Sequence, residues 1–275
     1  MPDYMFNRIF IALILIPIVF VAVYIGYIPF LVFICGICFL SAFEFWLLAS
    51  KMGFVPRKTF GNVSIILIIL SIFFNNLKIA SVVSNEATAL VFTLSVILLF
   101  VCEIIRCDIR TAIPSLAITF LGIIYLGWLP GHFLLIRDLR PDGFKLTLLL
   151  LITVWISDSA AYFFGSAYGS RRLSIISPKK SVEGAIASVC ASLVTIFFAK
   201  IFFMNFLRSA DVFFLGVLTS VSAQFGDLAE SLIKRSAGVK DSSNLLKEHG
   251  GILDKLDSFI FAAPVFYYYI KFFVL

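Results

Sequence analysis

Apolar residues fall in long unbroken runs along this chain, at roughly 6–28, 29–50, 60–76, 88–105, 112–135, 145–168, 184–207, 211–233 and 256–275. Most approach the ~20 residues that an α-helix needs to cross the hydrocarbon of a bilayer. A membrane barrel strand would alternate apolar and polar positions; these runs are apolar on all sides, so they predict helices. About nine spans are expected, the first two parted at Gly26 and Pro29 and the fifth interrupted at Gly127 and Pro130. The first run exceeds the ~7–15 residues of a secretion-signal core and leads almost directly into the second, so it is read as a span and not as a cleaved leader. No internal repeat and no long polar linker divides the chain. The expected organisation is one all-α, polytopic membrane domain over 1–275, with helices lacking any specific motif over 1–140 and a motif-bearing half over 145–260.

Composition agrees with that pattern. Hydrophobic residues make up 61% and charged residues 14%, against about 45–50% and about 25% in soluble domains. The basic residues set the orientation. With a cytoplasmic N-terminus, fifteen of them fall on the cytoplasmic side (Arg8; Lys51, Arg57 and Lys58; Arg106 and Arg110; Arg171, Arg172, Lys179 and Lys180; Lys234, Arg235, Lys240, Lys247 and Lys255) and seven on the other, an asymmetry of the positive-inside kind. The two richest loops, 169–183 and 234–255, then share the cytoplasmic side, so the net charge of +6 reflects topology and phosphate binding; no aromatic interleaving suggests a nucleic-acid surface.

Cysteine adds little. Cys35 and Cys38 have CxxC spacing inside an apolar span, with no histidine and only Glu44 as a nearby carboxylate, which reads as packing. His132, beside Pro130 and Gly131, is expected at a helix end in the interface.

Carboxylates within spans say more, because one at membrane depth costs at least ~2.5 kcal/mol and should face a cavity, an ion or a partner. Asp158 shares a helical stripe with Tyr162 and Gly165, which by itself also fits a helix contact through small residues. Gln224, Asp227, Glu230, Ser231 and Lys234 recur every three or four residues and line one face leading into the charged loop. Asp254 and Asp257 stand on the entry turn of the last helix, where the helix dipole alone favours acidic residues. They follow His249-Gly250-Gly251, where missing side chains would let a phosphate approach backbone N–H groups. Hard oxygen ligands from two helices suit Mg²⁺, which takes one or two carboxylates and completes its shell with phosphates and water. Intramembrane carboxylates also fit a secondary transporter of an anionic metabolite, with Asp158 and Asp227 on the coupling ion, but that reading leaves their junction to His249-Gly-Gly-x-x-Asp254 unexplained.

The run Ser231-x-Ile233-Lys234-Arg235-x4-Lys240-Asp241-x-Ser243-x2-Leu246-x2-His249-Gly250-Gly251-Ile252-x-Asp254-x-Leu256-Asp257 closely resembles the signature of phosphatidate cytidylyltransferases, the CDP-diacylglycerol synthases. Ser177-Pro-Lys-Lys-Ser-Val-Glu-Gly184 and Asp158-Ser-Ala-Ala-Tyr162 with Gly165 resemble further segments of that family. The resemblance implies transfer of CMP from CTP to phosphatidate for phospholipid synthesis, at the cytoplasmic face of the cell inner membrane, and makes 145–260 the catalytic half. Its partners would be CTP, phosphatidate, the bilayer and a second copy in a homodimer, without nucleic acid. Asp227 and Asp254 would hold Mg²⁺, with room for a second cation. Lys234, Arg235, Lys240 and Lys255 would grip phosphates, and Lys179 and Lys180 would receive the lipid head group or the triphosphate. His249 would orient a phosphate, act as an acid or hold the turn. Asp158, Glu183, Ser231, Asp241, Gly250, Gly251 and Asp257 complete the expected substrate site. A nearer rival is a membrane enzyme that uses a nucleotide with a polyprenyl or archaeal lipid acceptor.

Two positions depart from the family pattern: Lys247 replaces the usual small residue or proline before the histidine, and Lys255 replaces the usual arginine. Lysine keeps the charge but loses the planar fork that grips phosphate through two hydrogen bonds.

The charge asymmetry predicts that loops 169–183 and 234–255 lie together in the cytoplasm. Single cysteines at Ser174 and Ser243, in a chain otherwise free of cysteine, should resist an impermeant thiol reagent in intact cells and react after permeabilisation. Labelling of either from outside would overturn the arrangement.

Overall fold

The structure is a computed structural model and describes residues 16–76, 86–243 and 250–275. Its helices are α1 Ile16–Ile25, α2 Tyr27–Lys51, α3 Lys58–Asn76, α4 Ala87–Arg106, α5 Ile109–Ile123, α6 Leu129–Asp138, α7 Gly143–Tyr168, α8 Val182–Phe202, α9 Ser209–Ser236 and α10 Leu253–Tyr269. Seven units are long and apolar enough to cross a membrane: α2, α3, α4, α5 joined to α6, α7, α8 and α9. The first expected span is described only from Ile16, and the last combines α10 with a π-helical turn, Ile270–Val274. The chain is a polytopic all-α membrane protein; among the described residues the one extended pairing is an isolated bridge between Arg172 and Ser181.

The expected interruption in the fifth span is a π-helical turn, Ile124–Trp128, that runs on into α6 with Pro130 in its first turn. Inside this continuous helix the proline lacks the N–H that a regular turn would donate, and the wider π-helical turn before it accommodates that loss. The helix therefore continues past Pro130, and His132 points inward instead of lying at the interface. It is fully buried, its Nδ1 lies 3.0 Å from the Trp128 carbonyl oxygen, and its ring packs edge-on against Trp128, Tyr267 and Tyr268.

The N-terminal helices form a frame whose two ends are tied by polar contacts. At one end Arg57 Nε donates to Glu103 Oε1 at 2.6 Å and Ser115 Oγ donates to the same oxygen at 2.8 Å, joining α3, α4 and α5. At the other, Arg137 Nε donates to the Val23 carbonyl at 2.8 Å. The second half of α2 lies deep in this frame, with Glu44, Phe45, Trp46, Leu48 and Ala49 all buried and Trp46 Nε1 donating to Asn62 Oδ1 at 2.7 Å.

Helices α7 to α10 pack by small residues and interhelical hydrogen bonds, the means of association left when lipid is as apolar as the helix surface. A Cβ on Gly184 would stand 2.7 Å from the Ala161 carbonyl oxygen, so α7 and α8 cross with backbones in contact. Helix α8 meets α9 through Ser188 and Ser220, 2.9 Å apart, and through Ser192 Oγ donating to the Gly216 carbonyl at 2.8 Å. Helix α9 meets α10 at Gly226, where a Cβ would lie 2.4 Å from the Asp257 carbonyl oxygen. That closeness sets Asp227 beside the entry turn of α10.

A side chain at Gly226 should force α9 and α10 apart, because the opposing atom is backbone and cannot rotate away. Gly226→Val is expected to lower thermal stability in detergent through overpacking of about 1–3 kcal/mol. Gly36→Ala, with nothing within 4 Å of its Cβ, should leave stability unchanged or raised. Equal melting temperatures for Gly226→Val and the parent would refute the close α9–α10 contact.

Candidate active site

Helix α9 has 28 residues, so it runs about 42 Å against about 30 Å of hydrocarbon. Its last turn carries the basic residues Lys234 and Arg235. The face expected from the spacing is present: Glu230 and Ser231 are buried, and Ser231 Oγ lies 3.4 Å from Asp227 Oδ1. Two lysines organise the carboxylates. Lys234 Nζ reaches Asp254 Oδ1 at 2.6 Å and also pairs with Glu230, one turn earlier on α9. Lys180 Nζ, from the loop between α7 and α8, reaches Asp227 Oδ2 at 2.6 Å. Two of the sequence segments singled out for chemistry, Ser177–Gly184 and Ser231–Asp257, therefore meet at this end of the bundle.

Asp254 is held on both oxygens. Oδ2 accepts from Gly251 N at 2.6 Å, from Ser242 Oγ at 2.9 Å and from Ser242 N at 3.3 Å. Gly250 adopts φ +76°, and a Cβ there would lie 2.5 Å from Asp254 Oδ2; a Cβ on Gly251 would lie 1.9 Å from Ser242 Oγ and 2.2 Å from Glu44 Oε2. The glycine pair was expected to open backbone N–H groups to a phosphate. In the structure the close approach is made by two of the chain's own carboxylates. Glu44, from the half of the chain expected to lack a motif, was missed in the sequence because its only visible context was an apolar span.

Asp158, on α7, is exposed at the helix surface and interacts electrostatically with Asp227 and Lys180; Asp257 interacts likewise with Asp227 and Asp158. Asp158, Asp227, Glu230, Asp254 and Asp257 thus share a region with two contacting ammonium groups, Lys180 and Lys234, so carboxyl groups outnumber the lysines that touch them. Glu230 is fully buried and its Oε1 receives no hydrogen bond. Among the described residues no group of three or more His, Cys, Asp or Glu is arranged to hold a metal ion; Asp227 and Asp254, both oxygens of each already in contact with the chain's own groups, are the carboxylates that a divalent ion completed by phosphate and water would have to share.

The remaining expected residues fall into two groups. Glu183, on the first turn of α8, accepts from Ser170 Oγ at 2.7 Å and from the backbone N–H groups of Ser170 and Arg171, which makes it a tether for the lysine-bearing loop. Lys179, Arg235, Lys240, Asp241 and Lys255 are exposed, and Arg235 Nη1 donates to the Val239 carbonyl at 3.3 Å. His249 and the departure at Lys247 lie outside the described residues.

A family model described as the cytidylyltransferase family matches residues 6–273. A phosphatidate cytidylyltransferase of Synechocystis sp. is 34% identical over 184 residues, covering 58% of this chain and 63% of the relative. The enzyme of that name from Bacillus subtilis is 40% identical over 157 residues, covering 56% and 57%, and that from Staphylococcus haemolyticus is 36% identical over 158 residues, covering 57% and 59%. The chain spans about three-fifths of the length of these curated relatives. Since the family model extends from the first apolar run to the last and takes in every segment that converges on Lys180 and Lys234, the chain belongs to the cytidylyltransferase family.

Proposed function

We propose that this chain transfers CMP from CTP to phosphatidate, releasing pyrophosphate and forming CDP-diacylglycerol, at the cytoplasmic face of a bacterial inner membrane. The observation that carries this reading is the carboxylate cluster at the α9–α10 junction, paired with Lys180 and Lys234 and flanked in sequence by exposed basic side chains. A lipid phosphate can reach such a place from the bilayer, and a triphosphate from the cytoplasm. The names of the curated relatives support the same substrates.

In this reaction an ionised phosphatidate oxygen attacks the α-phosphorus of CTP, the bond to the β-phosphate oxygen breaks, and pyrophosphate leaves. No protein nucleophile is needed, because the acceptor is already an anion. The work of the chain is positioning and electrostatics. Lys234 holds Asp254 to α9 and Lys180 holds Asp227 to the α7–α8 loop, which keeps carboxylates from separate segments aimed at one region. Lys179, Arg235, Lys240 and Lys255 are exposed and make no ion pair among the described residues, which supports a role for them in meeting phosphates. Asp227 and Asp254 would hold Mg²⁺, which when bound neutralises the triphosphate and the charge that develops on the leaving group.

The decisive assay is purified protein with labelled CTP, phosphatidate and Mg²⁺, read for a CDP-lipid and for pyrophosphate. Absence of product with phosphatidate but product with a polyprenyl phosphate would move the chain to the rival acceptor. Asp227→Asn and Asp254→Asn should each fold and lose at least ~10²-fold in turnover, the cost typical of removing one strong electrostatic contact. Near-normal turnover of both at limiting Mg²⁺ would remove them as metal ligands.

Lys255 supplies a separate test. Lys255→Arg should maintain or raise kcat/KM for CTP and phosphatidate by restoring a two-bond grip, and Lys255→Met should lower it while keeping the apolar stem. Identical values for Lys, Arg and Met would make Lys255 a solvated surface charge.

A further inference from the structure

Glu44 lies near the end of α2, fully buried, and its carboxylate is saturated by the segment that carries the family signature. Oε1 accepts from Ser243 Oγ at 2.6 Å and from Ile252 N at 3.0 Å; Oε2 accepts from Leu253 N at 2.8 Å and lies 3.0 Å from Ser242 Oγ, whose single proton it shares with Asp254 Oδ2. No ammonium or guanidinium group pairs with it among the described residues, so these four donors and the N-terminal end of α10 are what balance its charge. Two donors belong to Ser242 and Ser243 and two to Ile252 and Leu253, so one carboxylate ties the residues after α9 and the start of α10 to α2. Helix α10 needs this help. Its N-cap position is Ile252, whose side chain cannot accept a hydrogen bond, and the cap comes instead from a residue 208 positions earlier.

The same contacts reach Asp254. Ser242 Oγ stands 3.0 Å from Glu44 Oε2 and 2.9 Å from Asp254 Oδ2, and Ser242 N also donates to Asp254. Gly251 lacks the Cβ that would collide with both Glu44 and Ser242. The anchor is stiff, because Phe45 and Trp46 beside Glu44 are in the core and Trp46 is hydrogen-bonded to α3.

We infer that Glu44 is a positioning residue for the reaction: it ties Ser242, Ser243 and the first residues of α10 to α2 and, through Ser242, sets the orientation of Asp254. It does not touch substrate. The inference rests on the proposed cytidylyl transfer only for its kinetic readout.

Glu44→Gln keeps the shape but places an amide NH₂ where one oxygen accepted two hydrogen bonds. Whichever way the amide turns, the backbone N–H of Ile252 or of Leu253 loses its acceptor. The expected result is a fall in kcat of about tenfold or more and a several-fold rise in the Mg²⁺ concentration for half-maximal activity, with KM for CTP changed less, as for residues that orient a ligating carboxylate. Tryptic cleavage after Lys240 or Lys247, read by mass spectrometry in detergent, should accelerate while cleavage elsewhere is unchanged. Glu44→Asp should recover part of kcat by restoring two oxygens. Ser242→Ala, which spares the bonds from Ile252 and Leu253, should reproduce the Mg²⁺ shift. Values within twofold of the parent for Glu44→Gln in both kcat and cleavage would overturn the inference; if that variant folds poorly, parent-like Mg²⁺ dependence of Ser242→Ala would overturn it. The cleavage readout needs no turnover, so a parent that makes no CDP-lipid would sink the functional reading and leave Glu44 to be judged on cleavage alone.

Discussion

A carboxylate held in hydrocarbon without compensation costs at least ~2.5 kcal/mol on insertion scales, and this constraint organises the C-terminal half of the molecule. Lys234 meets it for two acids at once, Glu230 on its own helix and Asp254 on the next. Lys180 meets it for Asp227 from a loop. Among the described residues Glu44 finds four hydrogen-bond donors in place of a cation. Because each partner comes from a different stretch of chain, satisfying these charges requires α2, α9, α10 and the α7–α8 loop to arrive together. The charge pairs do not by themselves supply large net stability, since desolvation opposes the attraction, but breaking one leaves a buried charge exposed to apolar surroundings. Their main effect is to select one arrangement of helices.

Packing makes that arrangement accessible. Gly184 and Gly226 remove the side chains that would hold α7 from α8 and α9 from α10, and serine hydroxyls join α8 to α9. The result is a closely built C-terminal half whose acidic residues outnumber the lysines that touch them. In the proposed reaction two anionic substrates would meet these carboxyl groups, so substrate and metal would bind as mutually supporting ligands. The exposed basic residues would act at longer range, raising the local concentration of anions at the surface.

The N-terminal half is more than a membrane anchor. Its second helix is buried where it approaches the signature segment, and the contact made by Glu44 caps a helix that cannot cap itself. The Arg57–Glu103–Ser115 contacts hold α3, α4 and α5 together at their ends, and Trp46 is braced on α3. A rigid frame of this kind lets a polar site sit at the edge of a bilayer, where neither lipid nor water provides shape.

Much of this was determined by local sequence. Long apolar runs can satisfy backbone hydrogen bonds in lipid only as helices, so the all-α class and the approximate position of each span followed from hydropathy. The three- and four-residue spacing put Asp227, Glu230, Ser231 and Lys234 on one face because helix geometry is periodic, and the signature marked the junction of α9 and α10. Tertiary structure decided the partners. Nothing in spacing says that Lys180 meets Asp227, that Gly250 and Gly251 make room for Asp254 and Glu44, or that His132 is buried among aromatic rings beyond a π-helical turn. Those outcomes depend on which surfaces face one another after the helices pack. For Glu44 the separation of some two hundred residues from its donors left no local pattern to read, because a hydrogen bond between distant segments exists only once the chain has folded.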